Sequence, residues 1–281
     1  MRKTAEIVIK VFSFFMMWLI GVSVMPIPDM DRSVIWRFFA ELQPLLIMGL
    51  VTILFLLIEE KKLKLGLIEK WSRGMRIGSV IGIIWILISI FVMYIFGIIK
   101  FEGSNDISLV WLWFIAAFLN VMMQELLVRG YLYQFLKQKS NMLTATIVTT
   151  GIFTMLHGGA VEAGIIPVLN VLTMSVFMTV LLEWTTSIWA PIMAHYLWNA
   201  VGSLVFNVVL LADDYPHIFT AVFLGNDIIS GGVCRIEGSI WVLIVNSIFC
   251  VLIGFLSAIE RKRTVKRHFT ELWHRGDRAS H

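Results

Sequence analysis

The sequence predicts an all-α fold, a polytopic membrane bundle of about eight transmembrane helices forming one integral domain over residues 1–281. Composition is the first reason: 58% of residues are hydrophobic, 15% are charged, and the mean hydropathy is +0.84, more apolar surface than a soluble domain of this length encloses. Stretch length is the second, because several apolar runs reach the roughly 20 residues a helix needs to cross about 30 Å of hydrocarbon. The third is the placement of cations, which alternates from side to side along the chain as insertion requires.

The runs fall at about 7–27, 40–59, 77–99, 107–136, 143–158, 164–183, 188–211 and 239–259. The first follows Arg2 and Lys3 as a signal peptide does, but it is long, ends in Pro26-Ile27-Pro28 without a small-residue cleavage site, and precedes a polytopic chain. It reads as a helix. Between the second and third runs, residues 63–71 mix apolar and basic side chains at a spacing that suits a short interfacial helix. With the N-terminus inside, 18 of the 23 lysines and arginines are cytoplasmic; Arg32, Arg37, Lys100 and Arg235 lie outside, and Arg129 alone lies within the membrane.

An even number of crossings then puts both termini in the cytoplasm. The net charge of +4 follows from these basic loops, which meet anionic lipid headgroups rather than nucleic acid. Cys234 and Cys250, sixteen residues apart on one predicted helix, cannot pair and imply no disulfide framework. Short loops and the absence of organelle-targeting features suit a bacterial plasma membrane.

Charge inside a membrane run is the functional signal. A charged side chain near the bilayer centre costs at least roughly 2.5 kcal/mol on insertion scales and normally faces protein or a wet cavity. Glu125 and Arg129 sit four apart on the fourth run, on one helix face; His195 and Asn199 do so on the seventh, and His157 stands on the fifth. Counted from the cytoplasmic ends at the helical rise, Glu125 lies ~17 Å deep, His157 ~21 Å, His195 ~11 Å and Asn199 ~17 Å. Compatible depths predict one cavity, open toward the cytoplasmic half.

Gln124-Glu125 with Arg129-Gly130, then Phe153 with His157, then His195 with Asn199 resemble the three ordered motifs of the CPBP (Abi) family of intramembrane proteases, which includes the CAAX prenyl endopeptidases. The resemblance covers about 107–211, and the segment 231–239 is also similar to family members. It implies an endopeptidase acting on a membrane-associated peptide or protein substrate. In that scheme Glu125 and His157 activate a water, His195 and Asn199 stabilise the oxyanion, and Arg129 pairs with Glu125 or with a substrate carboxylate.

Where the family commonly carries its first glutamate, this chain has Gln124. An amide cannot take a proton from water, so either Glu125 is the base or the site is a weakened, peptide-binding scaffold. No cofactor is expected; zinc held by Glu125, His157 and His195 is the rival chemistry, although the sequence lacks His-Glu-x-x-His. The bland readings are that Glu125 and Arg129 neutralise each other, that the histidines and Asn199 are interhelical hydrogen-bonding residues, that Phe153 is packing, and that Glu237 caps the last helix.

Overall fold

The computed structural model describes the backbone of residues 2–59 and 63–279, and the side chains of 4–59, 63–260 and 262. Its helices, in chain order, are α1 (Arg2–Ser23), α2 (Ser33–Ile58), α3 (Trp71–Ile95), α4 (Val110–Glu125), α5 (Tyr133–Lys139), α6 (Met142–Leu156), α7 (Gly158–Ala163), α8 (Ile165–Thr185), α9 (Trp189–Asn199), α10 (Asp227–Ser230) and α11 (Ile240–Ala279). A π-type stretch, Leu126–Leu132, joins α4 to α5, and a second one, Ala200–Val205, extends α9. The result is a helical membrane bundle, as the composition predicts.

Each of the eight apolar runs becomes helical, but they are unequal. Among the described residues six helices are long and apolar enough to cross a membrane, and α6 is a shorter apolar helix of 15 residues. The fifth run falls short because the backbone leaves the helix at His157 (φ −97°, ψ 55°) and restarts through Gly158-Gly159 as α7. The seventh is an 11-residue helix lengthened only by its π-type extension.

Two corrections concern the connections. Residues 63–71 form no interfacial helix: Leu63 and Leu65 are buried, and Gly66 takes φ +69° so that the chain can lie against Thr186 and Ser187. There Gly66 O accepts from Ile188 N at 3.3 Å, and Leu67 O from the Trp189 indole at 2.8 Å. A side chain at 66 would face both an unfavourable φ and that backbone. The second is a small antiparallel ribbon of β1 (Ile99–Ser104) and β2 (Phe219–Phe223), pairing Ile99 with Phe223 and Lys100 with Val222. It straps the α3–α4 connection to the segment after α9.

Close helix approach sets the frame for the site. Gly74, Gly78 and Gly82 recur every four residues on α3, so they share one face. A Cβ built on Gly78 would lie 2.8 Å from Ala190 Cα, and one on Gly82 2.8 Å from Ala194 Cα. Small residues on both sides let α9 seat directly on α3, the usual way helices associate when lipid supplies no hydrophobic drive. Trp85 stacks on Trp198 at 3.9 Å and donates to Asn246 Oδ1 at 2.8 Å, tying α3, α9 and α11 together.

Charged pairs mark one end of the bundle. Lys10 meets Glu59 at 2.5 Å, Lys139 meets Glu59 at 3.4 Å, Lys137 meets Glu183 at 2.6 Å, and Arg73 meets Glu260 at 2.7 Å. The first turns of α1 and α3 thus share an end with the last turns of α2, α5 and α8. Arg37, paired with Asp214, and the β ribbon lie at the other end. The outward faces of α1, α2, α3 and α11 carry exposed Ile9, Leu50, Phe91 and Val251, the surface expected of lipid contact.

Candidate active site

Glu125 closes α4 and is wholly buried. Its Oε1 accepts from Arg129 Nη1 at 3.0 Å and from His195 Nδ1 at 2.9 Å, while Oε2 is buried without a partner. Arg129, equally buried, follows one helical turn later inside the π-type stretch. Its Nη2 donates to the carbonyl and the hydroxyl of Ser175 on α8, both at 2.8 Å, and its guanidinium lies 4.9 Å from the centre of the Phe153 ring. A buried charge survives only when paired and hydrogen-bonded, and this pair has both.

The seating of α9 on α3 brings His195 to Glu125 across a separation of 70 residues. Asn199, one turn further along α9, has Nδ2 3.3 Å from His195 Nε2. Because the Glu125 carboxylate can only accept, Nδ1 of His195 carries the hydrogen of that bond. In a neutral ring Nε2 is then an acceptor from Asn199, and it donates only when the ring is protonated.

His157 occupies the helix-breaking position after α6, where its Nδ1 is 2.8 Å from Phe153 O. Its ring is 4.3 Å from the Phe153 ring, which is also 6.0 Å from the ring of His195. Phe153 is therefore packing, as read from the sequence, and in addition the surface against which Arg129, His157 and His195 are all placed.

These residues border a cavity of about 860 Å³ whose lining includes Gln124, His157, His195 and Asn199. Glu125 and Arg129 stand behind this wall. The expected opening is corrected: the lining runs to Leu210, Asp213, Cys234 and Glu237, at the end away from the Lys137 and Glu183 pair. The α6 to α7 break and the strand-like segment after α9 leave the space at that end. Counting depth from helix ends could not register it.

Gln124 sits on the cavity side of α4. Its Nε2 donates to Asn120 Oδ1 at 2.7 Å, and Asn120 Nδ2 donates to Glu41 Oε2 at 2.8 Å. Glu41, a buried carboxylate on α2, was detectable by the rule that exposed Glu125, since it too interrupts an apolar run. Glu237 is no cap: α11 begins at Ile240, and Ser239 Oγ accepts from Trp241 N at 3.2 Å. Its carboxylate instead accepts from the Trp198 indole at 3.0 Å and lines the cavity.

Among the described residues, no group of three or more His, Cys, Asp or Glu side chains is arranged to hold a metal ion. Glu125 Oε1 already serves two donors, and Nδ1 of each of the two histidines is engaged. The set Glu125, His157 and His195 therefore does not fit zinc.

Fold and site together define a polytopic membrane protein with an acid–base cluster buried beside an intramembrane cavity. Residues 106–201 match the family model described as "Type II CAAX prenyl endopeptidase Rce1-like", and the resemblance read from the three motifs is thereby borne out. The matched segment runs from just before α4 to just past Asn199, and so includes every residue of those motifs. No curated protein and no solved structure matches the chain.

Proposed function

We propose that this protein is an intramembrane endopeptidase of the CAAX-protease type, cutting a peptide bond of a membrane-associated peptide or protein without a bound metal. The observation that carries the proposal is the junction of Glu125, Arg129, His195 and Asn199 in one hydrogen-bonded network at the wall of a cavity that His157 also lines. Glu125 Oε2, buried and without a partner, is the acceptor for a proton from a water that His157 orients. The resulting hydroxide adds to the scissile carbonyl carbon. The oxyanion takes the Asn199 amide and the Nε2–H of a protonated His195. Collapse breaks the C–N bond as Glu125 returns the proton to the leaving nitrogen.

The preferred setting is a bacterial plasma membrane with both termini cytoplasmic. Support comes from the Lys10, Arg73, Lys137 and Lys139 end of the bundle, which is the Lys- and Arg-rich side of the sequence. In that orientation the cavity opens away from the cytoplasm, and the substrate presents its cut site from the outer leaflet.

A second reading, a peptide-binding scaffold that does not hydrolyse, is favoured by one observation: Gln124 lines the cavity and Glu125 does not. Glu125→Gln in the purified protein, assayed with a panel of membrane-anchored peptides, separates the two. Loss of cleavage by 10²-fold or more, with chelators having no effect, supports the glutamate peptidase. A panel of which no member is ever cut supports the scaffold, and chelator sensitivity restored by zinc overturns the metal-free reading.

A further inference from the structure

Glu41 takes no part in the proposed chemistry, yet it is a buried carboxylate joined to the cavity wall. Its Oε1 accepts from Arg37 Nη1 at 3.2 Å, and Arg37 also pairs with Asp214. With that cation beside it, Glu41 stands as a carboxylate and can only accept. The Asn120 amide must therefore turn its Nδ2 toward Glu41, which leaves its Oδ1 facing α4. Gln124 in turn must donate its Nε2 to that oxygen.

The direction of two amides, which geometry alone leaves open by a half-turn, is thus dictated by one charge on another helix. What remains is Gln124 Oε1, buried and without a partner on a residue that lines the cavity. A buried acceptor left unmade costs more than a made hydrogen bond contributes, so this oxygen favours any bound group that supplies a donor. A water can turn to suit a donor or an acceptor and needs no such fixing. A backbone N–H of a peptide can only donate.

We propose that Gln124 is a substrate-positioning residue that accepts a hydrogen bond from a backbone N–H of the bound peptide, with Glu41 and Asn120 fixing its amide as an acceptor. The inference rests on the reading that the cavity takes a peptide. It gives residue 124 a recognition role that a missing base would not.

The test uses the full-length Glu125→Gln protein in nanodiscs and single-span fluorescent peptides, each with one backbone N-methyl group walked along the segment that binds. One methyl position is expected to weaken binding about tenfold, and Gln124→Met to weaken the unmethylated peptide by a similar factor. The two losses should not add, because both remove the same bond. Glu41→Gln, whose amide no longer imposes a direction, should weaken binding several-fold, whereas Gln124→Glu, which keeps an acceptor, should stay within about threefold. Peptides that bind but show additive losses at every position overturn the inference. Failure of every unmethylated peptide to bind overturns the peptide reading itself.

Discussion

Removing either member of the Glu125 and Arg129 pair should destabilise the bundle far more than removing both. At 3.0 Å the pair attracts by about 5.5 kcal/mol in a medium of effective dielectric ~20. Desolvation offsets much of this, and the informative quantity is the cost of leaving one charge alone, about 3–5 kcal/mol for a buried pair. Arg129→Met strands the Glu125 carboxylate with His195 as its one remaining donor. Glu125→Gln leaves Arg129 with Ser175 and an amide oxygen. The double variant holds two neutral groups of similar volume in the same space, so the cycle should return a coupling of about 2–3 kcal/mol. Titration with SDS in lipid–detergent micelles, followed by the fluorescence of the 11 tryptophans, reads all four proteins. Arg129→Lys, which keeps the charge but not the fork reaching Ser175, serves where Arg129→Met is too unstable. A coupling below about 0.5 kcal/mol would mean that the pair does not act as a unit, and the electrostatic account of the site would fall with it.

Gly78→Ala should cost about 1–3 kcal/mol and lower any peptidase activity, since the new methyl group pushes α3 from the helix that carries His195 and Asn199. Gly49→Ala, on α2 with open space at its Cβ, should be neutral or stabilising by up to about 1 kcal/mol; thermal unfolding of both variants gives the comparison. Lys137→Met, which breaks a partly exposed pair with Glu183, should change stability by no more than about 1 kcal/mol. With Cys234 and Cys250 replaced by serine, a cysteine at Lys137 should resist an impermeant thiol reagent in intact cells while one at Asp213 reacts; the reverse pattern would invert the proposed topology.

The parts of this molecule legible in the sequence are those set by local periodicity. Glu125 with Arg129, and His195 with Asn199, share faces because a helix brings residues four apart together, and charge in an apolar run singled them out. Their meeting is tertiary: nothing in spacing says that Oε1 of Glu125 rests on His195, which depends on three glycines of α3 whose role appears only when Ala190 and Ala194 are seen against them. The two short helices read as full crossings because hydropathy is blind to the backbone break at His157. The direction of the cavity was lost for the same reason. Gly66 looked like part of an amphipathic stretch until its positive φ placed it in a loop against Thr186. Glu41 was missed despite an available signal, as attention to the motif helices passed over a lone carboxylate on α2.

The two π-type stretches begin one residue past Glu125 and one residue past Asn199. Such a widening holds one more residue than the α-helical turn it replaces and is frequent at functional sites. Its consequence is evolutionary: each marks a place where a single-codon insertion into an ancestral α-helix shifts all that follows by about 100° while leaving the preceding site residue untouched. Sequences related to this chain can therefore be a residue shorter at either point with their upstream polar groups unmoved. An alignment that forbids gaps inside helices would misplace every position downstream.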